Sequence, residues 1–401
     1  MLKIVSFSNQ SKSDQALLKR FIDFHWELYK DEPRYVPLLD YEYLGSSLLG
    51  ITGYFEKKNM FFSHGEIQFF LAIEEDKVVG RCVAFTNDSH NEHWNDKVGF
   101  FGHFECIEDQ DVAALLLQSA EDWLREKGKT VIRGPQNFPI NESTPGFLVE
   151  GEDSRPVVYY HFNPAYYAPM AAGLGFKPVM NVMSYEVPFA AHSIEDALTG
   201  ISKRIVDKNQ LTFETWSQRK LSVRKEEMYS IYNEAWAENY GFVPFSRQEL
   251  YKIIDDMQLV MDKDIFHFAY VRGELAGFFG AVPNIFETLA LPENKRGSEL
   301  LRAAKMILSR SRVKGIRSGY LGIKKAYRNI GLDAVLILKT TLASIKNGYE
   351  YSDMGWVLES NTVMVKTIDR IGAKLSKRYT IFEKAISASQ SLPLRDQDLA
   401  A

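Results

Sequence analysis

Two cysteines in 401 residues, Cys82 and Cys106, are too few for a disulfide framework, and neither has metal-ligand spacing. The eight histidines show no ligand spacing either, so no metal site is expected. No apolar run approaches the roughly 20 residues that a membrane-spanning helix needs. The opening Met-Leu-Lys-Ile-Val-Ser-Phe lacks the charged-then-apolar pattern of an export signal. Charge of one sign is also scarce: 48 Lys and Arg stand against 52 Asp and Glu, for a net charge of −4. That balance argues against a dedicated nucleic-acid binder. The expectation is a cytoplasmic globular protein, soluble or at most peripheral to the inner face of the membrane.

What is present is enough apolar material, 45% of residues, for two cores of ordinary size. In the first half the pattern predicts a strand at 2–7, a helix at 14–29 and a hairpin of strands at 67–74 and 78–85. A strand at 98–106 follows, then a helix that stops at Gly128, a strand at 130–133 and a long loop from Gly134 to Pro164. A helix ending at Gly175 and a strand at 181–187 complete it. The second half repeats that order, with a hairpin across Gly273, strands at 318–323, 351–357 and 378–384, and helices at 332–345 and 361–371. Asn163 and Asn361 are placed to begin matching helices. The segment 194–207 is periodic enough for a linking helix. These patterns give an α/β fold of two domains, 1–190 and 191–386, with a flexible tail over 387–401.

Between Leu321 and Leu336 the chain reads Leu-Gly-Ile-Lys-Lys-Ala-Tyr-Arg-Asn-Ile-Gly-Leu-Asp-Ala-Val-Leu. An apolar strand end runs through Arg328 and Gly331 into an apolar-periodic helix. Arg328, Gly331 and the first N–H groups of that helix can converge on a diphosphate, because a helix N-terminus carries unpaired donors and partial positive charge. The corresponding place in the first half reads Glu105-Cys106-Ile107-Glu108-Asp109-Gln110-Asp111, with four acids, no glycine and no arginine. A diphosphate there would meet like charge without the close backbone approach that glycine permits.

The loop Arg328-x-x-Gly331 resembles the acyl-CoA signature of the GNAT acyltransferases, usually Arg/Gln-x-x-Gly-x-Gly/Ala, with Asp333 where a small residue is expected. Two such units, the second also carrying Asn361-x-x-Met364 before Gly372, resemble a tandem GNAT protein. Each unit of that family is a mostly antiparallel mixed sheet flanked by helices. Gly134-Pro135-Gln136-Asn137, Gly146-Phe147-Leu148-Val149-Glu150-Gly151, Tyr232-Asn233-Glu234-Ala235-Trp236 and Trp356-Val357-Leu358-Glu359-Ser360-Asn361 are similar to the bacterial ceramide synthase-like group of double-GNAT acyltransferases.

The resemblance implies an N-acyltransferase with acyl-CoA or acetyl-CoA as co-substrate and no permanently bound cofactor. Its acceptor is a primary amine, small-molecule or lipid, with a long-chain sphingoid-type base as the leading candidate. The co-substrate is expected on Gly322, Ile323, Lys324, Arg328, Asn329, Ile330, Gly331, Leu332 and Asn361 of the second half, the first half being a degenerate copy. An amine attacking a thioester needs a base, for which Glu359 and Asp353 are the candidates. Relatives place a proton-donating tyrosine where Ile368 stands, so Tyr327 or Tyr379 is left for that role, or the thiolate leaves unassisted.

Eleven basic residues from Lys295 to Arg328 (Lys295, Arg296, Arg302, Lys305, Arg310, Arg312, Lys314, Arg317, Lys324, Lys325 and Arg328) face only Glu299. Around the amphipathic run Leu300–Leu308 they suit CoA phosphates, an anionic membrane surface or simple solvation. Two other readings stay open: a non-catalytic acyl-CoA-binding protein, and an aminoacyl-tRNA-dependent transferase of twin-GNAT type. Acyl-chain length, acceptor and oligomeric state are not fixed by sequence.

Overall fold

The computed structural model describes residues 1–9, 12–137, 143–189, 193–290 and 296–387, apart from the side chains of 12, 193–199 and 201. Nearly all of the expected tail, and Lys295 of the basic stretch, lie outside the described residues. The first half runs β1 (Lys3–Phe7), α1 (Gln15–Leu28), α2 (Asp40–Leu44), β2 (Ile67–Glu74), β3 (Lys77–Phe85), α3 (Asp88–Trp94) and β4 (Val98–Cys106). It continues through α4 (Gln110–Glu126), β5 (Val131–Gly134), β6 (Phe147–Glu150), α5 (Tyr167–Gly173) and β7 (Lys177–Pro188). The second half runs α6 (Ser193–Asn209), β8 (Leu211–Thr215), α7 (Leu221–Ala235), α8 (Arg247–Met257), β9 (Phe266–Val271) and β10 (Glu274–Pro283). There follow α9 (Phe286–Leu289), α10 (Glu299–Leu308), β11 (Gly315–Ile323), α11 (Leu332–Lys346), β12 (Tyr351–Leu358), α12 (Thr362–Arg370) and β13 (Lys374–Ala385).

The strands form one mixed sheet in the order β1-β2-β3-β4-β5-β13-β7-β12-β11-β10-β9-β8, with β6 paired to β13. Each half is antiparallel except at one place, β4 beside β5 and β11 beside β12. The halves exchange their last strands. β13 lies between β5 and β7, and β7 lies against β12, so each half supplies a strand that the other half's sheet needs. The sequence boundary at 190 falls between β7 and α6, yet the sheet crosses it without a break. α4 buries Val112, Leu116, Ala120 and Leu124, and α11 buries Leu332, Leu336 and Ile337 against Ala269, Ala276 and Phe279. Their apolar positions recur at helical spacing, which is why both helices form where the sequence predicts them.

Three sequence expectations change. Asn163 does not begin a helix: its side chain bonds the backbone N–H and carbonyl of Leu148, fixing the edge of β6, and α5 starts at Tyr167. The stretch 147–150 is a strand rather than loop, because β13 is there to pair with it. The basic stretch is not one charged surface: Arg302 and Arg317 are buried, and Arg296 is paired with Asp23 and Asp40.

Candidate active site

The two parallel strand pairs diverge, and they differ in what enters the gap. β4 pairs with β5 only over Val98–Phe100. Beyond that point the Gln136 N–H donates to the Phe101 carbonyl at 2.7 Å, and the Asn137 Oδ1 accepts from the His103 N–H at 2.8 Å. A Cβ on Gly102 would lie 2.0 Å from the Gln136 carbonyl oxygen, so glycine is what lets this segment fill the gap. The nearby N-terminus of α4 is also occupied: the Asp109 carboxylate accepts from the N–H groups of Asp111 and Val112.

In the second half β11 pairs with β12 only over Gly315–Ser318. The next residues, Gly319 to Leu321 on one side and Gly355 to Leu358 on the other, line a cavity of about 510 Å³. It reaches into the first half, past Tyr41, Tyr43, Phe100 and His103, and many aromatic side chains stand in its wall. α11 starts on Gly331, at φ +79°, with no side-chain cap. A Cβ there would also lie 2.6 Å from Ile205 Cδ1 on α6, so the left-handed backbone and the packing both favour glycine.

The expected co-substrate residues fall in two neighbouring places. Gly322 and Ile323 end β11, with Gly322 packed under Ile231 and Trp236 of the α7 region. Arg328 donates from Nη2 to the Ala235 carbonyl at 2.9 Å and from Nε to the Ile323 carbonyl at 3.4 Å. A guanidinium has five N–H groups, so three remain for a ligand. Lys324 and the left-handed Asn329 belong to the same turn, with Ile330 packed beneath it. Asn361 lines the cavity and caps α12, its side chain accepting from the Met364 N–H at 3.2 Å.

The three expected catalytic residues are not gathered at one point. Glu359 is exposed and accepts from the Asn181 side chain at 2.8 Å. Tyr327 packs with Ile205, Ile323 and Ile330 under α6 and α11. Asp353 is buried on β12 directly behind the cavity wall. Its Oδ1 accepts from the Tyr160 hydroxyl at 3.0 Å, its Oδ2 accepts from the Ser184 hydroxyl, and Tyr160 itself lines the cavity. Burial raises the Asp353 carboxyl to about 6 against the opposing pull of Ser184, Tyr160 and Arg317. Gly355 makes this approach possible, since a Cβ there would sit 2.2 Å from the Tyr160 hydroxyl.

Arg317, the strand neighbour of Asp353 in the β11–β12 register, also lines the cavity and is only 4% exposed. Its Cζ lies 5.1 Å from the Trp356 ring, 5.2 Å from Tyr160, 5.5 Å from Tyr159 and 5.7 Å from Tyr320. Its Nε has no hydrogen-bond partner among the described residues. Across the cavity, burial raises the Glu42 carboxyl to about 7. Sequence reasoning missed Tyr160, Ser184 and Glu42 in these roles. An arginine between Ile316 and Ser318 in an apolar strand was the one local signal for Arg317.

The fold is two GNAT units in tandem. A tandem GNAT protein from the clavulanic acid biosynthesis pathway matches 97% of this chain and 100% of its own, with a TM-score of 0.57 and 12% identity. A GCN5-related N-acetyltransferase from Sphaerobacter thermophilus matches 96% of each chain, with a TM-score of 0.50 and 12% identity. In sequence, the chain is similar along most of its length to two curated proteins. One is the bacterial ceramide synthase of Caulobacter vibrioides (strain NA1000 / CB15N), 29% identical over 382 residues, 92% of this chain and 95% of that protein. The other is protein YghO of Escherichia coli (strain K12), 28% identical over 376 residues, 92% of this chain and 93% of that one. No family model matches.

Proposed function

We propose that the chain is an N-acyltransferase that moves an acyl group from acyl-CoA to a primary amine, with a long-chain sphingoid-type base as acceptor. One observation carries this reading: the second half keeps an open strand gap and an uncapped, glycine-started helix, while the first half has filled both with its own chain. The CoA diphosphate sits on Arg328 and the α11 N-terminus. Its pantetheine arm runs along the β11 edge beyond Ser318 as an added strand, and the thioester reaches the cavity. The aromatic wall accepts the chains, and the name of the Caulobacter relative supports a sphingoid acceptor.

The acceptor arrives as an ammonium and loses one proton through the Tyr160 hydroxyl to Asp353. The free amine attacks the thioester carbonyl carbon, whose oxygen gains negative charge facing Arg317. The C–S bond then breaks, the CoA thiolate takes the second nitrogen proton, and an amide forms. Asp353, near 6, is matched to a base working at neutral pH.

Free-thiol release tests the reading: purified protein with acyl-CoAs of graded length and a panel of amines is expected to liberate CoA and form the amide. A binding-only reading draws on Asp333, an acid in the first turn of α11. Tight acyl-CoA binding without thiol release on any amine would establish that reading and sink the first. Arg328→Ala is expected to weaken CoA binding roughly 10- to 100-fold, the worth of a charged hydrogen-bonding contact, whereas Glu108→Ala leaves it unchanged. Calorimetric titration with CoA measures both, and equal affinities would remove the diphosphate from this loop.

A further inference from the structure

α10 is apolar on its outer side as well as on its inner one, where Ala303 is buried and Met306 packs against the core. Its inward face carries Arg302, 5% exposed, whose guanidinium is held by the carbonyls of Pro37 and Leu38 and by Glu299. Its outward face carries leucine and isoleucine: Leu300 is 54% exposed, Leu301 69%, Ile307 51% and Leu308 81%. Leu301, Lys305 and Leu308 follow one another at helical spacing, so the exposed side is a stripe of apolar groups with a cation set in it. A helix packed only for a globular core points such residues the other way.

Two other segments bring exposed apolar side chains to the same region. Leu259, 45% exposed, follows α8, and its carbonyl accepts from Arg310 Nη1 at 3.4 Å, just beyond the end of α10. Leu48, 81% exposed, tips a loop closed by the Ser46–Ile51 bridge and tied to α8 through Lys252 and the Gly50 carbonyl. Leu49 of that loop packs in one cluster with Val260 and Met306. Ile51, Leu259, Val260 and Met306 also line the central cavity, so these apolar tips border one side of it.

Charge selects the occupant of this face. Lys305, Arg310 and Arg312 are exposed, and no acid among the described residues forms an ion pair with any of them. The other cations nearby are committed, Lys314 to Glu350 and Arg302 to Glu299. Apolar side chains at the level of unpaired cations fit the interface of an anionic bilayer, where acyl chains meet phosphate headgroups. No helix among the described residues is long and apolar enough to cross a membrane, so the contact is with the surface.

We propose that the α10 face, with Leu48, Leu259, Lys305, Arg310 and Arg312, docks the protein on an anionic lipid surface and sets the apolar cavity against it. The docking goes beyond the acyl-transfer reading and is measured without turnover, so failure of either leaves the other standing. The full chain is spun with vesicles of phosphatidylcholine alone and of phosphatidylcholine mixed with an equal amount of phosphatidylglycerol. Binding is expected to the mixed vesicles only and to be released by high salt. Lys305→Glu, Arg310→Glu and Arg312→Glu combined should cut that partitioning roughly 100-fold, from the usual worth of a cation near a charged surface. Leu48→Ser with Leu308→Ser should weaken it without changing CoA affinity. No binding to either vesicle, or binding that both sets of substitutions leave intact, overturns the proposal. So does a concentration-dependent dimer that Leu308→Ser abolishes, since the face would then belong to a second copy of this chain.

Discussion

Replacing Asp353 with Asn is expected to lower kcat/KM by roughly 10²- to 10⁴-fold, the usual contribution of a positioned base, while leaving the melting temperature at pH 7 unchanged or higher. The two effects have one cause. The folded protein raises the Asp353 carboxyl from 3.8 to about 6, so between those values the native state binds more protons than the unfolded chain. Stability therefore falls as pH rises through that window, and at pH 7 the ionised carboxylate carries the whole penalty. An amide removes it, for a gain of at most roughly 3 kcal/mol at about 1.4 kcal/mol per pK unit. Asn also keeps an acceptor for one of the two hydroxyls and offers its NH₂ to the oxygen of the other.

The pH profile makes the Asp353 result specific. Wild-type turnover should rise through about pH 6 as the carboxylate forms, and this limb should vanish in Asp353→Asn. Tyr160→Phe should keep the limb but move it to higher pH, since its hydroxyl helps hold the carboxyl down, and should lower the plateau because it interrupts the path from cavity to carboxylate. A wild-type limb that persists in Asp353→Asn would transfer the base role to another group, Glu42 being the cavity carboxyl already raised to about 7.

The sequence shows most strands, the main helices and the Arg328–Gly331 turn because each is a local pattern: alternation, helical spacing, or an arginine and a glycine three residues apart. The strand exchange is not local. Nothing within Lys374–Ala385 indicates that it will lie between β5 and β7, since either sheet edge offers the same unpaired backbone groups. The surroundings of Asp353 are hidden for the same reason. Tyr160 and Ser184 stand 193 and 169 residues from Asp353 and meet it only after the exchange has set β7 beside β12. Asn163 misleads because an asparagine that caps a helix and one that ties down a strand edge look alike in sequence. The exposed apolar side of α10 escapes too, since amphipathic spacing tells which residues share a face but not which face turns inward.

Arg317→Met should cost about 10²- to 10³-fold in kcat, the range for removing one fixed donor from a developing oxyanion, with little change in KM for acyl-CoA. The split follows from position: Arg317 stands at the closed end of the strand gap, whereas the Arg328–Gly331 loop proposed for the diphosphate lies beyond the far end of β11. Stability at pH 7 should fall: methionine packs well among the four aromatic rings, but the buried Asp353 carboxylate loses the cation that opposes its burial penalty. A third readout separates this residue from Asp353. Arg317 opposes the rise of the Asp353 carboxyl, so its loss should move the ascending limb to higher pH, whereas Asp353→Asn abolishes that limb. Arg317→Lys restores a point charge without the planar fork, so it should return the limb toward about 6 yet recover only part of kcat. A methionine variant with wild-type kcat and an unmoved limb would place the developing charge elsewhere, on the backbone N–H groups at the end of β11.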